Sequence, residues 1–374
     1  MMAESEKNGS GIRMVWEVCA TADNTGQRNG RTPSRRNFLT GATAMGAGLL
    51  IAGDAASAQP AAAKLTRIDV HHHLTPPDYI AELGPKGKNL LEVPTLGWTP
   101  AKAIDEMDEG GVATSITSIT TPGLWFGDAA SAQRLARGCN DYAANLIRDY
   151  PKRFSMFVNL PLPDIDGSLK EIAYGLDVLK ADGVSLFTSY GDKWLGDPAF
   201  DPVFDELNRR KAVVYTHPTL NDCCRNLVPG VAPSSIEYGT DTSRAIARMI
   251  LSGASQRYPD IRLIWSHAGG TIPFLIGRFM RIGASERYAK ALPQGFLPEM
   301  QRFYYDTAQA ANGVAMGALK KLVPVSHILF GTDFPYLRAE LHVKGLREAG
   351  LFTPKELAAI ERGNIARLLP KYKT

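Results

Sequence analysis

The chain has 374 residues, of which 44% are hydrophobic and 21% charged, which is enough to bury the core of a barrel-sized domain. Its 42 basic and 38 acidic residues nearly balance, and the basic residues form no long run, which excludes a nucleic-acid-binding surface. Its four cysteines do not make the disulfide framework of a small secreted domain.

The first 58 residues have the pattern of a Tat-type signal peptide, and a disordered tail is the alternative. The twin-arginine sequence Ser34-Arg35-Arg36-Asn37-Phe38-Leu39-Thr40 precedes an apolar stretch at 41–53 and the small-residue site Ala56-Ser57-Ala58. The apolar stretch is too short to cross a bilayer, so no stable membrane insertion is expected. We expect cleavage after residue 58, a mature domain at 59–374, and a periplasmic or otherwise exported protein.

Eight short apolar runs follow, rich in β-branched and aromatic residues and mostly without alternation, as in strands that are buried on both faces. They lie at Leu65–His73, Val112–Thr120, Phe154–Leu162, Gly183–Tyr190, Ala212–His217, Ile261–His267, Gln301–Thr307 and Ile328–Asp333. Amphipathic segments separate them, including 130–150, 168–180 and 200–210, and 354–369 reads as a closing helix. This alternation predicts an α/β fold, a (β/α)8 TIM barrel.

Five residues with metal-binding or acid–base side chains stand at the ends of these predicted strands: His71, His73, His217, His267 and Asp333. The carboxyl ends of barrel strands meet at one face, and residues i and i+2 of a strand point the same way. One metal site is therefore predicted there, with His72 pointing elsewhere. His267 is a further ligand, an acid or base, or a substrate anchor, and Asp69 orients a ligand or lies below the site.

At these residues the chain resembles the amidohydrolase superfamily, in its aminocarboxymuconate-semialdehyde decarboxylase-like branch, over 65–369. The resemblance is carried by Ile68-Asp69-Val70-His71-His72-His73, by Thr216-His217-Pro218, by Ser266-His267-Ala268-Gly269-Gly270 with Pro273 and Arg278, and by Gly331-Thr332-Asp333-Phe334-Pro335. It implies a barrel of the metal-dependent hydrolase type with one divalent ion per chain, zinc first and manganese as the alternative. The implied ligands are His71, His73, His217 and Asp333, with His267 as a catalytic histidine that does not bind the metal. The fourth predicted strand lacks the lysine that binuclear relatives often carry, which favours a single ion.

The segment 186–192 and the residues from His217 to Cys224 look most like 6-methylsalicylate-decarboxylase-type members. This likeness implies non-oxidative decarboxylation of a small hydroxy-aromatic carboxylate, with Asp333 or His267 delivering the proton. Hydrolysis of a lactone or amide, and hydration of a conjugated acid, remain alternatives because one barrel and one metal serve all three reactions. A periplasmic metal- or ligand-binding protein without turnover is the non-enzyme alternative.

Aromatic side chains on the loops of the predicted active face are candidate walls for an aromatic substrate: Trp125, Phe126, Phe187 and Tyr190. Asp105 stands where the aminocarboxymuconate enzymes carry a substrate-binding arginine, which favours a smaller monocarboxylate.

Two further features concern assembly and redox state. Arg278 matches a family arginine that reaches a neighbouring subunit's site, which predicts a homodimer. The adjacent Cys223 and Cys224 either pack as thiols in a loop or form a vicinal disulfide.

Overall fold

The computed structural model describes residues 64–88, 93–225 and 227–373, so the predicted signal peptide at 1–58 lies outside the described residues. Eight strands form one parallel sheet in chain order, as predicted. We label them β1 (Arg67–His73), β2 (Val112–Ser118), β3 (Phe154–Asn159), β4 (Gly183–Phe187), β5 (Val213–His217), β6 (Arg262–Trp265), β7 (Tyr304–Asp306) and β8 (Ile328–Leu329).

Hydrogen bonds between β1 and the residues around β8 close the sheet into a barrel. The Val70 N–H donates to the Phe330 carbonyl at 3.0 Å, and the His73 N–H donates to the Phe334 carbonyl at 2.8 Å. In return the Asp333 N–H donates to the carbonyl of His71 at 2.8 Å. The predicted (β/α)8 TIM barrel is thereby confirmed.

Each strand is shorter than its predicted run, and at the sixth and eighth strands the backbone of the functional residues explains why they do not reach the predicted ends. The predicted sixth and eighth strands ran to His267 and Asp333, but both residues have left-handed backbones, with φ of 53° and 65°. A strand cannot continue through that conformation. These two side chains therefore project from the turns that follow β6 and β8.

Helices surround the barrel, with short turns of 3₁₀ or π geometry between some of them. They are α1 (Pro77–Lys88), α2 (Val93–Leu96), α3 (Pro100–Glu109), α4 (Ala129–Asp149), α5 (Ile165–Ala173), α6 (Asp201–Arg209), α7 (Glu237–Leu251), α8 (Ala254–Arg257), α9 (Ile272–Gly283), α10 (Glu286–Ala289), α11 (Phe296–Met300), α12 (Gly313–Leu322), α13 (Ala339–Glu348), α14 (Pro354–Ala358) and α15 (Asn364–Leu368). Among the described residues, no helix combines the length and the apolar character that a bilayer crossing requires.

The best-predicted helix shows why these segments fold as they do. Asp128 caps α4 by accepting the Ser131 N–H at 2.6 Å, and Leu135, Cys139 and Leu146 form its buried face. Burying one leucine side chain contributes roughly 2 kcal/mol, so this stripe fixes α4 against the sheet. The helix predicted at 200–210 is confirmed as α6, whereas π turns at Tyr174–Val178 and Ala359–Gly363 interrupt the helices predicted at 168–180 and 354–369.

Packed aromatic rings lie against the first of the predicted ligands. Val213, Tyr215 and His217 share one face of β5, since alternate strand residues point the same way. The Tyr215 ring stacks on Phe157 at a centroid separation of 5.4 Å and meets the His71 ring at 5.2 Å. The ligand face of the barrel therefore rests on a close-packed apolar layer.

Candidate metal centre and active site

Four side chains from three places in the barrel converge on one buried point. His71 and His73 lie at the end of β1, His217 ends β5, and Asp333 follows β8. One potential ligand atom from each lies within 4.8 Å of all the others, and all four residues are buried. We call these four residues the ligand cluster.

The ligand cluster is organised around one carboxylate oxygen. Oδ1 of Asp333 lies 2.9 Å from Nε2 of His73, 3.0 Å from Nε2 of His71 and 4.0 Å from Nε2 of His217. The Nε2 atoms of His71 and His73 are themselves only 3.1 Å apart. Three imidazole nitrogens and one carboxylate oxygen that converge this closely are a suitable donor set for zinc or a similar divalent ion. A buried three-histidine, one-aspartate metal-binding site is thus present.

The second oxygen of Asp333 points to a different pair of residues. Oδ2 lies 3.2 Å from Nε2 of His267 and accepts an N–H from the side-chain amide of Gln309 at 3.0 Å. The structure therefore brings His267 next to the ligand cluster without placing it among the four converging atoms. Gln309 had no signal in the sequence, because a glutamine in a loop follows no pattern.

Asp306, at the end of β7, orients the first ligand. Its Oδ2 lies 2.8 Å from Nδ1 of His71, and its Oδ1 accepts the backbone N–H groups of His267 at 2.9 Å and Ala308 at 3.0 Å. A carboxylate on the outer nitrogen fixes the tautomer and the plane of a ligating imidazole. Sequence reasoning missed this role, although a carboxylate at the end of the seventh predicted strand was a usable signal.

Asp69 instead ties the two ends of the barrel together below the cluster. It accepts the His71 N–H at 2.9 Å and both the N–H and the hydroxyl of Thr332, at 3.1 Å and 2.6 Å. It also lies 3.2 Å from Nδ1 of His72, whose ring stacks on Phe334 away from the ligand cluster. Of the two predicted roles for Asp69, lying below the site is the one the structure supports.

Burial and neighbouring charges set the protonation of the cluster in the absence of an ion. Burial and the adjacent imidazoles lower the pKa of His217 well below its usual value, and burial lowers the pKa of His73. Burial alone would lower the pKa of His71 too, but the carboxylates of Asp306 and Asp333 raise it to about 10. Although burial opposes it, the surrounding histidines hold the pKa of Asp333 well below its ordinary value. Asp333 is thus an anion, and two imidazoles are neutral donors.

Aromatic rings stand beside the ligand imidazoles. The Phe187 and Tyr238 rings each lie 6.2 Å from the His217 ring, and the Tyr336 ring lies 5.9 Å from the His73 ring. The Thr121 hydroxyl lies 3.2 Å from the Tyr238 hydroxyl, which joins the loop after β2 to the start of α7. Phe187 was predicted, whereas Tyr238 and Tyr336 were not, because nothing in sequence spacing indicates their approach.

Of the other predicted substrate-binding residues, Tyr190 contacts Phe187, and the remaining three are exposed. The Tyr190 hydroxyl accepts the Phe187 N–H at 2.9 Å, and its ring packs at 6.3 Å from the Phe187 ring. Trp125 and Phe126 lie on the loop after β2 and are 37% and 43% exposed. Arg278 is exposed on α9.

Two sequence features with open interpretations are placed as follows. Asp105 is exposed on α3, in a cleft with Trp98, Lys102 and Arg338. Cys223 and Cys224 are joined in a disulfide, which is the second of the two interpretations offered for this pair.

A (β/α)8 barrel that gathers three histidines and an aspartate at the carboxyl ends of its strands defines a metal-binding enzyme of the amidohydrolase type. The chain matches the Amidohydrolase family over residues 68–371 and belongs to it. It is 36% identical over 327 residues to decarboxylase yanB of Aspergillus niger, covering 83% of this chain and 89% of that protein. It is 35% identical over 316 residues to 6-methylsalicylic acid decarboxylase of Penicillium expansum, covering 83% and 98%.

A solved structure agrees with this assignment. The crystal structure of an amidohydrolase II superposes with a TM-score of 0.75 at 26% identity, covering 81% of this chain and 99% of that one. The protein is therefore an enzyme of the amidohydrolase superfamily, and its relatives in that superfamily are decarboxylases.

Proposed function

We propose that this protein is a metal-dependent, non-oxidative decarboxylase of a small hydroxy-aromatic carboxylate, such as an acid that resembles 6-methylsalicylate. The observation that carries the proposal is the ligand cluster with His267 beside it, in a chain more than a third identical to named decarboxylases. The reaction replaces the ring carboxylate by a proton and releases CO2, so the site must hold an anion and supply a proton.

The ligand cluster would hold one divalent ion, for which zinc and manganese are the candidates. When bound, such an ion supplies Lewis-acid polarisation of the carboxylate and neighbouring phenolic oxygens of a substrate. The chain itself contributes the buried and pre-oriented donor atoms. Asp306 holds the His71 ring, and the Pro218 carbonyl lies 2.8 Å from Nδ1 of His217, so each of these two ligands is fixed through its outer nitrogen.

His267 and Asp333 are the residues placed to manage the proton. Nε2 of His267 lies 3.2 Å from Oδ2 of Asp333, so one proton held between the two atoms is within reach of either. The His267 side chain is 11% exposed and the Asp333 side chain 7%, so both retain limited access to the space above the cluster. The ring carbon that loses CO2 takes up this proton, so that the substrate carboxylate and one proton become the decarboxylated ring and neutral CO2.

The substrate ring would pack among Phe187, Tyr238 and Tyr336, which flank the ligand imidazoles. Exposed Asp105, in place of the arginine of the aminocarboxymuconate enzymes, supports a single substrate carboxylate rather than two.

The test is CO2 release from a panel of salicylates and other hydroxybenzoates, with the protein loaded with zinc or manganese and with the metal removed. We expect metal-dependent CO2 release from at least one ortho-hydroxy acid. An absence of CO2 from every panel member, with one ion bound per chain, would overturn the proposal and turn attention to lactones and amides.

A homodimer remains a proposal, and the outer face of α9 supports it. Phe274, Leu275 and Ile282 are 66%, 37% and 42% exposed, and helical spacing places them on the side of α9 that carries Arg278. Apolar side chains exposed together on one element mark an association surface. Light scattering should give a dimer mass for the parent and a monomer mass for Phe274→Lys. A monomeric parent with full activity would contradict the proposal.

Export through the Tat route is likewise a proposal, and it rests on the order of the twin-arginine segment, the apolar stretch at 41–53 and the small-residue site at 56–58. The intact mass of protein recovered from the periplasm should correspond to residues 59–374. Protein that stays in the cytoplasm with its N-terminal segment attached would contradict export.

A further inference from the structure

Gln309 holds the oxygen of Asp333 that faces away from the ligand cluster. Its side-chain amide donates an N–H to Oδ2 of Asp333 at 3.0 Å, while Oδ1 lies 2.9 Å from Nε2 of His73. Nε2 of His267 approaches the same Oδ2 at 3.2 Å. A carboxylate with no partner on Oδ2 turns easily about its terminal torsion, because that torsion has broad wells. Two partners on Oδ2 define the carboxylate plane, and thereby the direction of Oδ1.

The backbone of the three residues that meet at this oxygen is unusual. His267, Gln309 and Asp333 have φ of 53°, 55° and 65°, in the left-handed region that side-chain-bearing residues rarely adopt. Such conformations persist only where the surroundings impose them, and they concentrate at functional sites. The other described residues of this kind are Ala268, which directly follows His267, and three lysines, Lys152, Lys180 and Lys211, each in the turn before a strand. The convergence of three such residues on one oxygen is therefore a specific feature of the site.

The Gln309 backbone is fixed by a contact that has no part in the ligand cluster. Its N–H donates to Nε2 of His342 at 3.1 Å, and Nδ1 of this buried histidine lies 3.1 Å from the Arg338 carbonyl. The neighbouring Ala308 N–H is held by Asp306 at 3.0 Å. The loop after β7 is thus held by His342 of α13 on one side and by the Asp306 carboxylate on the other, and these contacts fix the position of Gln309.

Core packing does not account for this side chain. Gln309 is exposed, whereas Ala308 and Ala310 on either side of it are buried. An exposed side chain at a strained backbone position gains little from burial, so its contact with Asp333 is the interaction that distinguishes it. An amide suits that contact, because its N–H donates at any ordinary pH and adds no charge beside the ligands.

We propose that Gln309 is a positioning residue, which directs Oδ1 of Asp333 to the nitrogens of His71, His73 and His217 and leaves Oδ2 facing His267. The expected effect of Gln309 on turnover rests on the proposed decarboxylation. Its expected effect on metal binding does not, so the positioning role and the proposed function can fail separately.

The experiment compares Gln309→Met with the parent. Methionine keeps the length of the side chain and removes the donor. The matched control is Gln133→Met, since Gln133 is an exposed glutamine whose amide donates to the Asp164 carboxylate on the helical surface. Each protein is loaded with Co²⁺ alone, and its visible spectrum and its affinity for Co²⁺ against a competing chelator are measured. The melting temperature and the CO2-release kinetics complete the comparison.

We expect Gln309→Met to change the Co²⁺ spectrum and to lower the Co²⁺ affinity or kcat by ~10-fold or more, as is usual when a residue that supports a metal ligand is lost. KM and the melting temperature should stay near those of the parent, and Gln133→Met should match the parent in both metal measurements. An unchanged spectrum together with an unchanged affinity would overturn the positioning role. A changed spectrum in a protein that releases no CO2 from any substrate would support the positioning role while the proposed function fails.

Discussion

The imidazole of His71 lies between two carboxylates: its Nδ1 is 2.8 Å from Oδ2 of Asp306, and its Nε2 is 3.0 Å from Oδ1 of Asp333. Asp306 also accepts the backbone N–H of His267 at 2.9 Å. The Asp306 side chain therefore orients the His71 ring and also fixes the backbone of His267, the other catalytic candidate beside Asp333. This link between β1, β6 and β7 makes Asp306 a support for both the ligand cluster and the turn that carries His267.

Asp306→Asn should weaken metal binding, because an amide cannot supply the negative charge that fixes the His71 tautomer and raises its basicity. Loss of such a partner typically costs 10–100-fold in metal affinity or activity, and metal competition with a chelator measures it. The control is Asp177→Asn, which removes an exposed carboxylate paired with Arg210 on the outer surface. An Asp306→Asn protein that binds its metal as tightly as the parent would show that His71 is oriented by packing alone.

His267→Gln should separate chemistry from metal binding. Since Nε2 of His267 contacts Oδ2 of Asp333 and not the converging Oδ1, the four ligand atoms remain, and we expect about one ion per chain. The rate of CO2 release should fall by ~10²–10⁴-fold, the usual contribution of a positioned acid or base. His327→Gln is the control, because that histidine contacts the Gln301 carbonyl away from the site. Loss of the metal in His267→Gln would make His267 a ligand instead.

Gly123→Ala should disturb the aromatic wall. Gly123 has φ of +82°, and an added Cβ would lie 2.7 Å from Cε2 of Phe187, so the ring must move. Gly127→Ala is a matched control, since Gly127 has φ of +90° and its Cβ would meet nothing within 4 Å. Both variants should lose about 1 kcal/mol of stability from the left-handed backbone. Only Gly123→Ala should raise KM, and equal KM values in both variants would remove Phe187 from substrate binding.

The sequence predicted the parts of this site that follow from strand geometry. His71 and His73 face one point because alternate strand residues share a face, and His217 joins them because parallel strands end together. Asp333 and His267 were placed at strand ends by the same reasoning, although both lie in turns with left-handed backbones. The barrel and its strand order followed from the alternation of apolar runs with amphipathic segments.

What the sequence did not predict depends on how loops fold back over the strands. Tyr238 reaches His217 only because α7 begins where the loop after β5 returns to the barrel, and no spacing rule gives that path. Gln309 reaches Asp333 only through a backbone conformation that its residue type does not favour. Propensities and periodicity describe regular elements, whereas these contacts are fixed by tertiary packing around turns.

The disulfide between Cys223 and Cys224 predicts the alkylation pattern of the 59–374 protein, which contains three cysteines. Cys139 is the free thiol among the described residues; it is buried, and burial raises its pKa, so it should react only after denaturation. We expect one alkyl group per denatured, unreduced chain and three after reduction, as read by intact mass. Three groups without a reductant would show that the two cysteines are free thiols.

Removing the metal should destabilise the folded protein, because an ion that binds only the native cluster adds stability in proportion to the logarithm of its free concentration. At a free concentration about 1,000 times Kd this contribution is roughly 4 kcal/mol. A chelator should therefore lower the melting temperature by several degrees, and zinc or manganese should restore it. Asp333→Asn removes the central carboxylate of the cluster, so its melting temperature should respond weakly to chelator. The ion that restores both stability and CO2 release identifies the working metal. A parent protein whose melting temperature changes with neither chelator nor added metal would contradict metal binding at the cluster.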